Sequence, residues 1–261
     1  YFKKEELNNI NKIKHPSIKK VLKFKKFSKS FELVHFSDLP AQSGLGASSS
    51  FTVGLLNCIN NMMGQIPTKR QLASDAVEIE QNRIKEFVGS QDQYAAAFGG
   101  FNVINFSKNN IQVKSIPNNL KNIKILEKST VLIFSGFQRK ASNVEKDKIK
   151  NIKKKEKYYT AIKKLTDDAE ILLNSSDNII RDFSELINEY WSLKRKLSNN
   201  VSNKNLDNLI SFCLKNGAES SKIIGAGKGG FLMCLVKQKN KKKFFNNLKK
   251  QLIVPVKFEN L

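Results

Sequence analysis

The segment Pro40-Ala41-Gln42-Ser43-Gly44-Leu45-Gly46-Ala47-Ser48-Ser49-Ser50 constrains this chain more than any other. It follows an extended-looking run, Phe31 to Phe36, and leads into Phe51, Leu55, Ile59 and Met63, spaced to line one helical face. Two glycines one residue apart let backbone approach a ligand, and three hydroxyls follow where a helix starts. Unpaired N–H groups and the dipole at a helix N-terminus favour a phosphate there. No Gly-Lys-Ser or Gly-Lys-Thr closes the loop, so it is not a Walker A motif, and the third glycine of a dinucleotide-binding turn is missing. Alone, the loop reads equally well as a tight strand-to-helix turn.

At 261 residues with 40% hydrophobic content, the chain can bury a substantial core as one large domain or two modest ones. No apolar run approaches the roughly 20 residues that span a bilayer. The net charge of +23 is carried almost wholly by Lys; the arginines are Arg70, Arg83, Arg139, Arg181 and Arg195. Nucleic-acid readers add Arg forks and interleaved aromatics. Here the densest clusters, Lys148 to Lys157 and Lys239 to Lys243, lie in helix-like, Asn-rich stretches. They read as solvated surface, which argues against a nucleic-acid partner while still steering phosphorylated substrates inward. Cys58, Cys213 and Cys234 are too far apart for a C-x-x-C site, and their odd number argues against a disulfide framework. Buried thiols at Cys58 and Cys234 and a reducing cytoplasm are expected.

A strand is predicted over Phe31 to Phe36, then a helix from Phe51 ending at Gly64 and Pro67. Thr68 and Gln71 form a capping-box pattern for a second helix reaching about Lys85. Gln91 to Phe98 reads as a short helix, Gly99-Gly100 as a turn and Phe101 to Phe106 as a strand. A looser segment around Pro117 to Ile123 precedes a strand from Thr130 to Phe134. Two helices are predicted between Val144 and Leu197, with a break near Ser175 to Asp177, and a shorter one from Leu206 to Asn216. Lys222 to Ile224, Phe231 to Val236 and Ile253 to Phe258 read as strands, with a helix from Lys241 to Leu252. Strands and helices mix without a strict βαβ repeat, so the fold class is α+β.

Phosphoryl transfer needs a metal to neutralise charge on the phosphates and a group to orient or deprotonate the attacking hydroxyl. A hydroxyl plus one carboxylate is a typical sparse Mg²⁺ site, and Ser48 with Glu80 supplies both types. Asp92 opens a short helix whose dipole keeps it ionised. The run Lys222-Ile223-Ile224-Gly225-Ala226-Gly227-Lys228-Gly229-Gly230-Phe231 places four glycines in six residues between two strands, so backbone passes close to something there.

These features in this order resemble the GHMP small-molecule kinase superfamily. Pro40 to Ser50 is similar to its phosphate-binding motif and Lys222 to Gly230 to its C-terminal glycine motif. Gln91-Asp92-Gln93-Tyr94-Ala95-Ala96-Ala97-Phe98-Gly99-Gly100 is similar to the sugar anomeric kinases, above all those acting on D-glycero-D-manno-heptose 7-phosphate. The likeness runs from about Phe31 onwards and includes the helix end from Trp191 to Asn203. It implies a two-domain α+β architecture: an N-terminal nucleotide-binding domain over 1–125 and a ferredoxin-like C-terminal domain over 126–261. It also implies ATP and Mg²⁺ as cofactors and a small-molecule sugar phosphate as partner, without membrane attachment. A homodimer is compatible with it.

Site residues are implied motif by motif. Pro40, Gln42, Ser43, Gly44, Leu45, Gly46, Ala47, Ser48 and Ser49 would hold the nucleotide phosphates. Ser48 and Glu80 would hold the metal, with Glu78 as a register alternative. Asp92 would be the catalytic base or hydroxyl-orienting group. Gly225, Ala226, Gly227 and Gly229, with Gly230, would shape the substrate side, and Arg139 would meet the sugar phosphate. The expected reaction moves the γ-phosphoryl group of ATP to the anomeric hydroxyl of a heptose 7-phosphate, feeding nucleotide-activated heptose for surface polysaccharide. Ala47 and Lys228 stand where the family usually has Ser and Gly. The family's N-terminal Gly-rich motif has no counterpart from Tyr1 onwards, and a chain beginning with Tyr reads as lacking an N-terminal portion. A natural loss of that motif would imply an inactive enzyme; a fragment would leave the activity inference standing.

Overall fold

The computed structural model describes residues 4–39, 43–107, 110–117, 120–137, 149, 151–249 and 251–258. The chain forms two compact units: Tyr1–Pro40 with Gly46–Gly99, and Ala41–Leu45 with Gly100–Leu261.

The first unit contains helices and no strand among its described residues. Helix α1 (Pro16–Phe24) opens on proline, whose fixed φ and missing N–H suit a first helical position. Helices α2 (Ala47–Met62) and α3 (Lys69–Val77) follow; α3 runs into a π-helical turn, Glu78–Ile84, before α4 (Gln91–Phe98). Thr68 caps α3, its hydroxyl accepting from the Gln71 N–H at 3.1 Å, while the Gln71 side chain turns to Asp75. The apolar periods meet in one core. Val53, Leu55, Leu56 and Ile59 of α2 pack with Leu72, Ala76 and Ile79 and with Val21 and Leu22 of α1.

Two expectations change here. Phe31–Phe36 forms no strand: it has no ladder partner among the described residues, and Phe36 is 82% exposed. Alternation makes backbone extended, but a strand exists only by pairing. Cys58 is exposed rather than buried, because it falls beside Asn57 and Asn61 on the solvent side of α2.

The second unit begins with an antiparallel hairpin, β1 (Phe101–Phe106) and β2 (Ile111–Ile116), with Phe101 opposite Ile116. It continues through α5 (Lys121–Ser129), β3 (Thr130–Phe134), α6 (Glu156–Ser175), α7 (Ile179–Leu197) and α8 (Lys204–Lys215). Strands β4 (Ala218–Ile223) and β5 (Phe231–Val236), helix α9 (Gln238–Asn247) and strand β6 (Ile253–Pro255) close it. The main sheet has the order β4-β5-β3-β6, antiparallel throughout. Its central strand β5 is covered on both faces, hence the continuous apolar run Phe231 to Val236. Leu232, Cys234 and Val236 join Val131, Ile133, Trp191, Leu206 and Phe244 on one side; Leu235 joins Ile123, Leu126 and Ile187 on the other. Ile116 is buried in that second cluster, with Phe101 and Val103 against it. Compactness therefore divides the chain after Gly99, ahead of the family-domain boundary expected at 125/126.

Candidate active site

In the first unit, Gly46 is the N-cap of α2 in the left-handed conformation, φ 72°, with no side-chain cap on the helix. The first-turn amides of Ala47, Ser48 and Ser49 are thus not claimed by a capping side chain, as an anion-binding helix start requires. Asp92 stands in the first turn of α4, where the helix dipole favours the carboxylate. The two features meet: a Cβ built on Gly46 would lie 3.6 Å from Asp92 Cβ and Cγ and 3.7 Å from Oδ2.

Beside them lies a buried polar cluster. Glu80, 1% exposed, accepts through Oε2 from Ser49 Oγ at 2.8 Å and from Gln93 Nε2 at 2.5 Å. Its Oε1 is buried and has no hydrogen-bond partner among the described residues. The π-helical turn, a form frequent at functional sites, carries Glu80 inward and leaves Glu78 outside. Glu78 bonds Asn82 and pairs with Arg83 at 3.1 Å. Between the two glutamates, the geometry therefore brings Glu80 into the cluster. It brings Ser49 rather than the exposed Ser48 to that carboxylate, and Ala47 is exposed as well. Half-burial pushes the Glu86 carboxyl above its ordinary range, and the charge of Glu80 adds to the shift. A buried carboxylate oxygen in want of a partner, next to first-turn hydroxyls, is a donor set that fits a hard divalent cation. No cluster of three or more His, Cys, Asp or Glu able to hold a metal occurs among the described residues.

In the second unit, the glycine hairpin between β4 and β5 clamps the start of the same loop. The Phe231 N–H donates to Ser43 O at 3.1 Å. A Cβ on Gly44 would lie 2.9 Å from Ile224 O, and one on Gly225 would lie 2.9 Å from Gly44 O. Gly230, φ 89°, has no room for a side chain against Ser43 O. Gly227 abuts Val201, Gly229 abuts Phe137 and Ala226 is buried. The glycine spacing is thus explained first by backbone packed on backbone within this unit. Lys228 adopts φ 61°, its N–H donating to Val201 O at 2.7 Å and its ammonium to Asn200 Oδ1. Lys194 Nζ donates to Gly225 O at 2.5 Å. Pro40, Gln42 and Arg139 lie outside the described residues.

Sequence reasoning missed Ser49 as the partner of Glu80, and it missed Gln93, Glu86 and Lys194. Gln93 carried a signal, standing beside Asp92 in the quoted motif. Lys194 carried a weaker one, four residues after Tyr190 on a helix whose end belongs to the resemblance.

Comparison with known proteins gives the family of the chain. Residues 11–100 match the GHMP kinases N terminal domain and residues 175–254 the GHMP kinases C terminal domain. The chain is 35% identical over 234 residues to D-glycero-alpha-D-manno-heptose 7-phosphate kinase of Campylobacter jejuni, covering 87% of this chain and 68% of that enzyme. Two solved structures share the fold. A D-glycero-D-manno-heptose 1-phosphate kinase from Bacteroides thetaiotaomicron has a TM-score of 0.70 at 24% identity, covering 94% of this chain and 71% of that one. Lactococcus lactis galactokinase complexed with galactose has a TM-score of 0.75 at 16% identity, covering 98% and 79%. The chain belongs to the GHMP kinase family and has its two-domain α+β fold. It is in class an ATP-dependent small-molecule kinase, similar to members that act on sugars. The two matched stretches leave 101–174 between them, the interval that holds the expected 125/126 boundary. No described helix is long and apolar enough to cross a membrane.

Proposed function

We propose that this kinase phosphorylates a sugar, and specifically the anomeric hydroxyl of a heptose 7-phosphate, supplying nucleotide-activated heptose for surface polysaccharide. The observation that carries the reading is Gly46 lying against the Asp92 carboxylate; the 35% identity to a heptose 7-phosphate kinase supports the choice of acceptor. In this reading Ser43 to Ser49 bind the triphosphate through loop and first-turn amides. Asp92 orients or deprotonates the attacking hydroxyl. Glu80, with the hydroxyls of Ser48 and Ser49, would hold Mg²⁺, and Gly225, Ala226, Gly227 and Gly229 would line the acceptor side. Mg²⁺ supplies neutralisation of charge across the transferring phosphates. Residues 1–125 and 126–261 are the two family domains in this scheme.

A coupled ADP-release assay on the purified protein, run against heptose 7-phosphate, heptose, hexoses and hexose phosphates, tests it. Mg²⁺-dependent release with heptose 7-phosphate well above all other acceptors is expected. Preference for an unphosphorylated sugar would overturn the acceptor assignment.

A further inference from the structure

The buried cluster around Glu80 holds more acceptors than donors. It lies wholly in the first unit and joins three elements: Ser49 from the first turn of α2, Glu80 from the π-helical turn and Gln93 from the first turn of α4. Ser49 Oγ and Gln93 Nε2 both donate to one atom, Glu80 Oε2, at 2.8 and 2.5 Å. A carboxylate oxygen only accepts, so the Gln93 amide must meet it with nitrogen, and the amide oxygen is left for another partner.

Two oxygens are thereby left over. Glu80 Oε1 and Gln93 Oε1 are both buried, and neither has a hydrogen-bond partner among the described residues. Gln93 is 0% exposed and Glu80 1%. Arg83, three residues from Glu80, pairs with Glu78 instead, and Lys25 pairs with Asp75. The Ser49 hydroxyl has given its proton to Glu80, so its lone pairs can only accept elsewhere. A buried acceptor without a partner forfeits the hydrogen bonds that water would supply. A neutral donor would satisfy one such oxygen and leave the carboxylate charge unpaired; a cation answers both.

We propose that Gln93 is a cation ligand of this site, its Oε1 joining Glu80 Oε1 and the Ser49 hydroxyl as a third oxygen. Three oxygens with a single negative charge suit a small hard divalent cation that keeps part of its water shell. The two donors on Oε2 hold the carboxylate in one orientation, as partners of metal ligands do. The inference rests on the assignment of Mg²⁺ to Glu80 made above and adds the residue that follows Asp92 in the chain. Gln93 thereby ties the cation to the helical turn that carries Asp92.

Calorimetric titration with Mg²⁺ alone, on wild type, Gln93→Met, Gln93→Glu and Glu80→Gln, separates a ligand from an anchor. Gln93→Met keeps the length and removes both polar atoms; its Kd for Mg²⁺ should rise about 10-fold or more. Gln93→Glu loses the N–H donor but keeps oxygen and adds charge. It should bind Mg²⁺ at least as tightly as wild type, and Mg²⁺ should raise its melting midpoint by more. In wild type the Gln93 side-chain amide resonance should move as Mg²⁺ is added. Equal weakening in Gln93→Met and Gln93→Glu would make Gln93 an anchor that serves Glu80 through its N–H. Wild-type affinity in Gln93→Met would remove it from the site; either result overturns the proposal. Weakening in Gln93→Met with none in Glu80→Gln would sustain Gln93 and overturn the role given to Glu80. No Mg²⁺ uptake by wild type would overturn both. Should Gln93→Met fail to fold, the Gln93→Glu titration and the amide resonance decide.

Discussion

Gly46, the N-cap of α2, stands beside Asp92 in the first turn of α4: a Cβ on the glycine would come into van der Waals contact, 3.6 Å, with the Asp92 side chain. Gly46 is held at φ 72°, so a side chain there meets two obstacles. A branched residue is disfavoured by about 1–2 kcal/mol in that conformation, and its methyls would press on Asp92. Gly46→Val should therefore raise the KM for ATP and lower kcat together. Steady-state kinetics over ATP concentration measures both, and an unchanged KM would reduce the loop to a turn.

In the proposed reaction, Asp92 separates binding from chemistry. Its carboxylate lies beside the loop, but the amides of Gly46 to Ser49 do not depend on its charge. Asp92→Asn keeps the size and removes the negative charge and the proton acceptor. The expected result is an unchanged dissociation constant for ATP with kcat lowered roughly 10²–10⁴-fold, as for a lost acid–base group. Nucleotide titration and single-turnover rates on the same preparation check the two halves. Near-normal turnover would remove Asp92 from its role.

Glu80 makes a different prediction because one of its oxygens is already engaged. Oε2 is held by Ser49 and Gln93, whereas Oε1 is buried without a partner among the described residues. Glu80→Gln retains an acceptor for Ser49 but loses the charge that attracts a cation. The Mg²⁺ concentration for half-maximal activity should rise by about 10-fold or more, and Ser49→Ala, which removes a group that orients the carboxylate, should raise it less. Isothermal titration with Mg²⁺ provides a readout independent of turnover. Equal Mg²⁺ affinity in wild type and Glu80→Gln would place the metal elsewhere.

Much of this was legible in the residues because each element announced itself through a local rule. The helical spacing of Phe51 to Ile59, the Thr68 cap and the apolar run Phe231 to Val236 are each set by neighbours in sequence. What escaped depended on partners distant in sequence. Strand β2 carries the alternation Ile111-Gln112-Val113-Lys114, a signal too short to stand out alone, and it exists by pairing with β1. Helix α5 was hidden behind Pro117, since Ile123 and Leu126 alone give it a short apolar stripe. Phe31–Phe36 failed in the opposite direction, having strand alternation without a pairing strand among the described residues. In the site, motif order pointed to Asp92 and Glu80, but not to the hydroxyl that meets Glu80. A π-helical turn shifts facing by a residue, and nothing in Glu78-Ile79-Glu80-Gln81 marks where such a turn begins.

Glu86 turns the same cluster into a pH measurement. Burial raises its carboxyl above the ordinary value of 4.5, and the negative charge of Glu80 raises it further. Between 4.5 and the raised value the folded protein keeps a proton that the unfolded chain has released. In that window the folded state binds more protons, so stability falls as pH rises. The contribution is complete below the unfolded pKa and gone above the folded one. Glu86→Gln, which has no charge to desolvate, should be more stable than wild type at neutral pH and should flatten the stability profile above pH 4.5. Glu80→Gln removes the smaller cause and should shift the Glu86 titration down without abolishing its displacement. Urea melts across pH, with Glu86 followed by carboxyl NMR, check the sign. A profile that steepens upward with pH in the wild type and is unaltered by Glu86→Gln would contradict the buried arrangement of the two carboxylates.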